Sequence, residues 1–227
     1  MRILAIDTAL SACAVCIYDA GAEYPLISES LTMERGHAEA LVPLLQRVLK
    51  GIDGGLSSVN KVAVSVGPGS FTGLRVGLSA ARAIGVASGL PVVGVTTLSA
   101  YAAPHIIGGT TLSIASLIDA RHGNAYCQFV SASGHPLIEP ARMGLEDIAR
   151  ALGNGGVKVI GPGADLLLPF VDILGPQVFI EPSPPAPDIV WIARLGLAAD
   201  PAHSPPEPLY LRGADAKPQD HARIARH

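Results

Sequence analysis

The apolar positions of the chain fall into short runs, separated by segments in which they recur with helical spacing. Residues 62–66 form an apolar run that ends at a Gly-Pro-Gly-Ser turn, and residues 92–95 form a second run. Residues 71–88 between them have a helical pattern, so a parallel β-strand, α-helix, β-strand unit is predicted. Two earlier apolar runs, at residues 2–7 and 12–18, predict further strands. The first part of the chain therefore predicts a mixed sheet with helices packed on it.

Two more elements are predicted between these strands. A third strand is expected near residues 24–31. Apolar side chains recur with helical spacing from about residue 34 to residue 50, which predicts a helix. Pro43 lies inside this segment, so a kink is expected there.

A second set of elements follows residues 104–109, where the pattern restarts. It comprises strands at 111–118, 125–130 and 157–160 and helices near 144–152, after the turn at 161–163, and over 188–199. Asp188 suits the N-cap of the last helix, since its carboxylate can accept a backbone N–H. We therefore predict an N-terminal lobe of residues 1–103, a C-terminal lobe of residues 104–212 and a flexible tail of residues 213–227.

Small residues occupy every fourth position of the helix predicted at 71–88. They are Gly73, Gly77, Ala81 and Gly85. A glycine inside a helix costs about 1 kcal/mol relative to alanine, so this stripe needs a compensating contact. A face without side chains lets another backbone approach closely. We therefore predict that another backbone segment packs closely against this face.

The composition points to a protein that is covered in part by another chain. Hydrophobic residues make up 49% of the 227 residues and charged residues 15%, against roughly 25% charged in typical soluble domains. Part of the surface is therefore expected to be apolar and buried by a partner. No apolar run approaches the ~20 residues of a membrane span, and the N-terminus has the pattern of a strand. A cytoplasmic location without membrane contact is expected.

The charge and the cysteine pattern argue against nucleic-acid binding and against a redox function. The net charge is −3 and no cluster of Lys or Arg is present, so the chain is not expected to grip nucleic acid by itself. Cys13 and Cys16 form a Cys-x-x-Cys pair within a predicted strand, where a spacing of three places them on opposite faces. We expect these cysteines to be core thiols.

Two turns could contribute to a phosphate site. Gly67 and Gly69 precede a helix, but neither a Walker A sequence nor the Rossmann glycine spacing is present. Asp7, Thr8 and Ser11 follow the first strand, where actin-like nucleotide-binding folds hold Mg²⁺ and phosphates through oxygen ligands. For the glycine segment a tight turn with close helix packing is favoured over a phosphate site, whereas for Asp7 and Thr8 the two interpretations are balanced. A vestigial nucleotide site and plain turns are therefore both open.

His37 is the histidine of the first predicted helix, and it has no partner for a metal site. A helical metal pair needs a second ligand three or four residues on. Those positions hold Ala40 and Leu41. We therefore predict a capping or interface histidine and no metal site.

Five segments together carry a family resemblance. They are ILAIDTALSACAV at the start, ERGHAEALVPLL on the first helix, SVGPGSFTGLRVGLSAARAIG around the second helix, DARHGNAY at 119–126 and PLYLR at 208–212. The chain resembles the bacterial TsaB (YeaZ) family, the partners of the TsaD enzyme in making N6-threonylcarbamoyladenosine on tRNA. The match is specific over residues 1–130.

The resemblance implies a two-lobed actin-like, RNase H-like (ASKHA) α/β fold with mixed sheets flanked by helices. It implies a non-catalytic subunit that binds and activates a TsaD-like catalytic subunit through the first two long helices. Contacts with a TsaE-like ATPase and with tRNA would occur through that complex, and the isolated chain is expected to form a homodimer. The predicted interface residues are His37, Leu41, Leu45, Gly73, Leu74, Gly77, Leu78, Ala81, Arg82 and Gly85.

Two enzymatic functions compete with this prediction. An independent actin-like ATPase or small-molecule kinase would place a nucleotide between Asp7 and the glycine turns at 67–69 and 161–163. Asp119 is followed by Ala120 rather than by glycine, which weakens that alternative. A metallopeptidase would need a bound metal, against which Leu41 argues. No cofactor is expected, although a nucleotide in the cleft between the lobes stays an open alternative.

Overall fold

The computed structural model describes residues 1–153 and 155–211. A five-stranded sheet forms the centre of the first lobe, with the order β3-β2-β1-β4-β5. Strands β1 to β3 are antiparallel, while β4 and β5 run parallel to β1. Its strands are β1 (Arg2–Asp7), β2 (Ala12–Asp19), β3 (Ile27–Thr32), β4 (Lys61–Gly67) and β5 (Val92–Thr96).

A second five-stranded sheet repeats this arrangement with the order β10-β9-β6-β7-β8. Its strands are β6 (Ser113–Asp119), β7 (Asn124–Val130), β8 (Pro136–Gly144), β9 (Val157–Ile160) and β10 (Val178–Ile180). Three antiparallel strands are again followed by parallel ones. Two mixed sheets of the same topology confirm the predicted two-lobed actin-like fold class.

Five α-helices pack on the two sheets. They are α1 (His37–Lys50), α2 (Phe71–Ser88), α3 (Thr97–Ile107), α4 (Leu145–Leu152) and α5 (Ile189–Ala198), with short 3-10 helices at Gly55–Ser58 and Ala164–Phe170. Asp188 caps α5 as predicted, its carboxylate accepting the backbone N–H of Val190. Pro43 lies inside α1. None of the helices in the described part of the chain is both long and apolar enough to cross a membrane.

Strands β1, β2 and β4 of the first sheet are buried on both faces, because helices cover each side. Cys13 packs with α1 and α2 on one face, while Cys16 packs with α5 on the other. The predicted placement of these two thiols on opposite faces is therefore confirmed. Helix α3 lies between the sheets, with Ala100 in the core of the first lobe and Leu98 in contact with the second sheet.

Four described elements were not expected from the sequence: the 3-10 helix at Gly55–Ser58, α3, β8 and β10. Helix α3 is apolar on nearly all sides because both lobes cover it, so it lacks the amphipathic period that marks a surface helix. Strand β8 begins with a proline and is largely exposed, and β10 has only three residues. Helix α5 lies in the predicted C-terminal lobe, yet it packs on β1, β2 and β4 of the first sheet. The predicted tail at 213–227 lies outside the described residues.

Candidate functional site

Helix α2 begins at a turn that is tied to the end of the first strand. The backbone N–H of Ser70 donates to the carbonyl of Ala9 at 2.7 Å. The Ser70 hydroxyl then accepts the N–H of Gly73 and caps the helix. A Cβ at Gly69 would stand 2.3 Å from the Ala9 carbonyl oxygen. The glycine turn is therefore an architectural joint between β1 and α2.

The small-residue stripe of α2 faces the chain's own sheet. A Cβ at Gly73 would lie 2.1 Å from the carbonyl oxygen of Thr8, and one at Gly77 would lie 2.5 Å from Thr8 Oγ1. At Gly85 a Cβ would stand 2.4 Å from a methyl group of Val92. The predicted close approach is present, but the segment that approaches belongs to the same chain.

The predicted interface residues need a correction for the same reason. All of them except Arg82 are buried within the chain itself, so they offer little surface to a partner, although His37 also borders the cleft between the lobes. The buried ones are His37, Leu41, Leu45, Gly73, Leu74, Gly77, Leu78, Ala81 and Gly85. The error arose because a spacing of four residues marks the face that packs inward as readily as a face that docks outward.

On its solvent-facing side α2 carries an uncharged row of residues, whereas α1 also exposes Glu39 and Arg47. Opposite the stripe, α2 presents residues with alternating spacings of four and three, which is the spacing of a helix–helix seam. Ala38 of α1 borders the groove that Thr72 and Val76 line on α2. We call this surface the outer face, and its residues are Ala38, Val42, Thr72, Val76, Ser79, Ala83 and Val86. The seam spacing at 72, 76, 79, 83 and 86 is a signal in the sequence that could have identified it.

Two valines dominate the outer face. Val42 is 56% exposed and Val86 is 88% exposed. Helix α2 has no acidic residue, and its two charged side chains, Arg75 and Arg82, are held at one flank by residues that follow α5. On the far side of α1, Arg47 pairs with Glu29 of β3. The outer face is therefore uncharged itself, but Glu34, Arg35 and Glu39 also line the groove between Ala38 and Thr72.

A cleft of about 430 Å³ lies between the lobes. From the first lobe Ser11, Gly69 and His37 border it, and from the second lobe Asp119 and Arg121 do. Two residues of the predicted vestigial nucleotide site, Ser11 and Gly69, therefore line this cleft. The other three, Asp7, Thr8 and Gly67, are buried beneath it.

Asp7 is a fully buried carboxyl group. Its Oδ1 accepts the backbone N–H of Ala9 at 2.9 Å and the hydroxyl of Ser65 at 2.5 Å. Oδ2 has no hydrogen-bond partner among the described residues. Burial raises the pKa of Asp7, although the hydrogen bonds from Ser65 and Ala9 oppose this shift. The Asp7 carboxyl thus helps to hold the strand end and does not reach the cleft.

His37 joins the start of α1 to the loop after β1. Its Nε2 lies 3.0 Å from the carbonyl oxygen of Leu10. Leu41, one turn further on, is in the core. Within residues 1–153 and 155–211, no group of three or more His, Cys, Asp or Glu side chains could hold a metal ion.

The second-lobe wall of the cleft is a tight turn between β6 and β7. Arg121 and His122 both have positive φ, at 65° and 54°, a conformation that few non-glycine residues adopt. The Asp119 carboxylate accepts the N–H of Arg121 at 2.7 Å and so stabilises the turn. The exposed Arg121 side chain lies 3.6 Å from the Asp119 carboxylate and lines the cleft together with Gly69.

The fold defines a two-lobed protein of the actin-like class, and its helix α2 carries an uncharged row of exposed residues. A family model described as "TsaD: tRNA N6-adenosine threonylcarbamoyltransferase" matches residues 31–161. The chain is 36% identical over 129 residues to the Escherichia coli (strain K12) "tRNA threonylcarbamoyladenosine biosynthesis protein TsaB", a match that covers 56% of this chain and 53% of that protein. It thus spans about half the length of that relative.

Two further comparisons extend over nearly the whole chain. The Bacillus subtilis protein TsaB is 27% identical over 230 residues, which covers 96% of this chain and 97% of that one. The solved structure of YeaZ from Pseudomonas aeruginosa has a TM-score of 0.72 at 24% identity, covering 92% of this chain and 99% of that chain. The chain belongs to the TsaB (YeaZ) family, and its residues 31–161 match the TsaD family model.

Proposed function

We propose that this chain acts in the synthesis of N6-threonylcarbamoyladenosine on tRNA as a non-catalytic subunit. It binds a TsaD-type catalytic subunit and holds it in the state that transfers threonylcarbamoyl from threonylcarbamoyl-AMP to the adenosine next to the anticodon. The names of its relatives support the pathway. The outer face of α1 and α2 is the observation that supports docking.

The outer face has the properties of a surface that is buried in a complex. Large exposed apolar side chains are common singly, but an uncharged row along the exposed side of a whole helix marks an interaction site. The seam spacing on α2 suits a helix of the partner, because residues four and three apart alternate along one line of contact. We therefore propose a helix-to-helix contact with the TsaD-type subunit.

Two features of the described residues support a non-catalytic role. Asp7 stands at the strand end where actin-like folds bind metal and phosphate, but it is completely buried. Leu41 occupies the position where a second metal-binding histidine would follow His37. Neither residue is in a position to contact a substrate in the cleft.

The test is co-expression of the chain with the TsaD-type subunit of the same organism, followed by affinity capture and mass measurement. Val42→Glu and Val86→Glu place a carboxylate on the outer face and are expected to abolish capture. Val171→Glu is the matched control, since Val171 is a similarly exposed valine in the second lobe. Capture that survives both outer-face substitutions would refute this docking mode.

The remaining contacts are proposed to be indirect. A TsaE-like ATPase and tRNA would bind the assembled complex, and this chain alone is expected to bind neither. Adding each to the isolated chain and then to the complex separates the two cases. Saturable tRNA binding by the isolated chain would contradict the proposal.

A nucleotide site in the cleft is the second candidate function. The exposed Arg121 side chain and the Ser11 and Ser70 hydroxyl groups all border the cavity, and these are suitable groups for a phosphate. Calorimetric titration of the isolated chain with MgATP, and a phosphate-release assay, test it. Micromolar binding that Arg121→Ala removes, together with turnover, would favour an ATPase over a docking subunit.

A further inference from the structure

The segment after α5 returns along the first lobe and covers the free edge of its sheet. We call residues 200–211 the strap. The backbone N–H of Gly94 in β5 donates to the carbonyl of Ser204 at 2.9 Å, and the N–H of Leu209 donates to the carbonyl of Val66 at 2.8 Å. A Cβ at Gly94 would lie 2.6 Å from the carbonyl oxygen of Pro205. The strap therefore lies directly against edge strand β5, which protects it from unwanted pairing.

The strap is also fixed to the flank of α2. Arg82 Nε donates to the carbonyl of Pro206 at 2.9 Å, and Arg75 Nε lies 3.4 Å from the hydroxyl oxygen of Tyr210. The ring centroids of Tyr210 and Phe71 are 5.7 Å apart. The Arg75 guanidinium lies 3.7 Å over the Phe71 ring. Phe71, Arg75 and Tyr210 form a stacked group that we call the anchor cluster.

Covering the sheet edge does not explain the anchor cluster. The backbone contacts between the strap and the sheet end at Leu209, whose side chain packs on the core. Tyr210 lies beyond them and contacts Phe71 in the first turn of α2. Phe71 remains 55% exposed and Tyr210 50% exposed, so their pairing leaves about half of each residue in water. Aromatic and arginine side chains held together at the surface are the groups that carry most of the energy at protein interfaces.

The cluster is held in place before any partner arrives. The strap contains Pro205, Pro206 and Pro208, and each proline fixes one backbone torsion. The backbone hydrogen bonds to Gly94 of β5 and to Val66 of β4, together with the bond from Arg82, hold it at three further points. A group that is already ordered loses little entropy on binding, which favours affinity.

We propose that the strap completes the docking face, with the anchor cluster binding a protein partner that brings a carboxylate to Arg75 and an apolar side chain to the rings of Phe71 and Tyr210. The identity of that partner, a TsaD-type subunit, rests on the proposed function. A shallow depression of about 410 Å³, lined by Phe71, Arg75 and Val76 among others, joins the cluster to the outer face. One partner surface therefore covers both.

Charge decides the chemistry of the partner. Arg75 and Arg82 are the only charged residues of α2 and both are positive, so the complementary surface is acidic at this flank. A guanidinium stacked on a ring still offers its N–H edge to a carboxylate in a planar geometry. A nucleic acid partner is disfavoured because the chain has a net charge of −3 and no Lys/Arg cluster.

The experiment measures the dissociation constant of the purified chain and the TsaD-type subunit by calorimetry. Tyr210→Ala is expected to weaken binding about tenfold, the size of an interface hot spot, whereas Tyr210→Phe keeps the ring and loses little. Arg75→Glu is expected to weaken binding more than Tyr210→Ala. Tyr24→Ala, which removes an exposed tyrosine of the β2–β3 loop, is expected to bind like the wild type. Circular dichroism and thermal melting confirm that each variant is folded.

The outcomes separate this proposal from the docking proposal. If Val86→Glu abolishes binding while Tyr210→Ala and Arg75→Glu bind like the wild type, the anchor cluster is refuted and the docking mode stands. If the wild type does not bind, both are refuted. A labelled tRNA titrated into the complex tests the nucleic acid alternative. Loss of tRNA affinity in Tyr210→Ala at unchanged partner affinity would overturn the protein-anchor proposal.

Discussion

The carbonyl oxygen of Thr8 lies 2.1 Å from the position that a Cβ atom would take at Gly73. The Thr8 hydroxyl in turn donates to the carbonyl of Gly73 at 2.7 Å. This pair joins the end of the first strand to the first turns of α2. The small-residue stripe that begins at Gly73 therefore sets the distance between a helix and its own sheet.

Gly73→Ala is expected to lower the free energy of unfolding by about 1–3 kcal/mol, the usual cost of overpacking. In an unhindered helix the same change would stabilise by about 1 kcal/mol through helix propensity, so the sign of the effect is diagnostic. Urea denaturation measures it. Ser79→Ala on the outer face of the same helix serves as the control and is expected to be nearly neutral. An increase in stability for Gly73→Ala would refute the close contact.

Asp7→Asn is expected to become progressively more favourable, relative to the wild type, as the pH rises. Burial raises the pKa of Asp7, so the folded state favours the protonated carboxyl. The stability that this preference contributes is complete below the unfolded pKa of about 4 and is lost as the pH rises through the raised folded pKa. Chemical denaturation at several pH values measures the difference. If the difference in unfolding free energy between Asp7→Asn and the wild type does not change with pH, the prediction is wrong.

Asp19→Asn provides a control of opposite sign. Its hydrogen bond with Arg2 lowers the pKa of Asp19, so its contribution is present above the unfolded pKa of about 4 and is lost as the pH falls through the lower folded pKa. The Asp19 variant should therefore differ from the wild type most at neutral pH and least in acid. If both variants show the same trend, burial is not the cause of the Asp7 shift.

The three cysteines are expected to resist modification in the folded protein. Burial raises the pKa of Cys13 and Cys127 to about 11 and that of Cys16 to about 12, so little thiolate forms at pH 8, and the thiolate is the reactive species. Titration with Ellman's reagent should show slow reaction in buffer and rapid reaction of all three thiols in denaturant. Rapid labelling of the native protein would place a thiol at the surface.

The isolated chain is expected to form a homodimer through the outer face. The outer face can pair with the same face of a second copy about a two-fold axis. Val86, which is exposed near the end of α2, would then lie within the contact between the two copies. Val86→Glu should then shift the sedimentation coefficient toward that of a monomer, while Val171→Glu should not. A dimer that persists in both Val86→Glu and Val42→Glu must use another surface.

Much of the first lobe could be predicted from the sequence, because its elements are regular and their boundaries are marked by glycine and proline. The helix of α2 was predicted at its observed limits, and Asp188 was identified as the cap of α5. Elements with weak local signals were not found. Helix α3 has no polar face to define a period, because two lobes cover it, and β10 is too short to show an alternation.

The candidate site illustrates the same division. Helical spacing identified α1 and α2 as the relevant helices, but it could not tell which face turns inward. Gly77 and Val76 are adjacent in sequence and about 100° apart around the helix, the first against Thr8 and the second half-buried at the border of the outer face. Only the packing of α2 on β1 and β4 distinguishes them.

By itself, the sequence determined the order of the elements in the first lobe, the family, the low charge and the need for a close contact along the stripe of α2. These follow from local spacing and composition, which act between residues near in the chain. The tertiary structure alone decided that Thr8, at the end of β1, packs against the stripe, that Asp7 is buried, and that the strap brings Tyr210 to Phe71. Such contacts join residues more than 60 positions apart, as in the bond between Thr8 and Gly73, and are set by how the helices pack on the sheet.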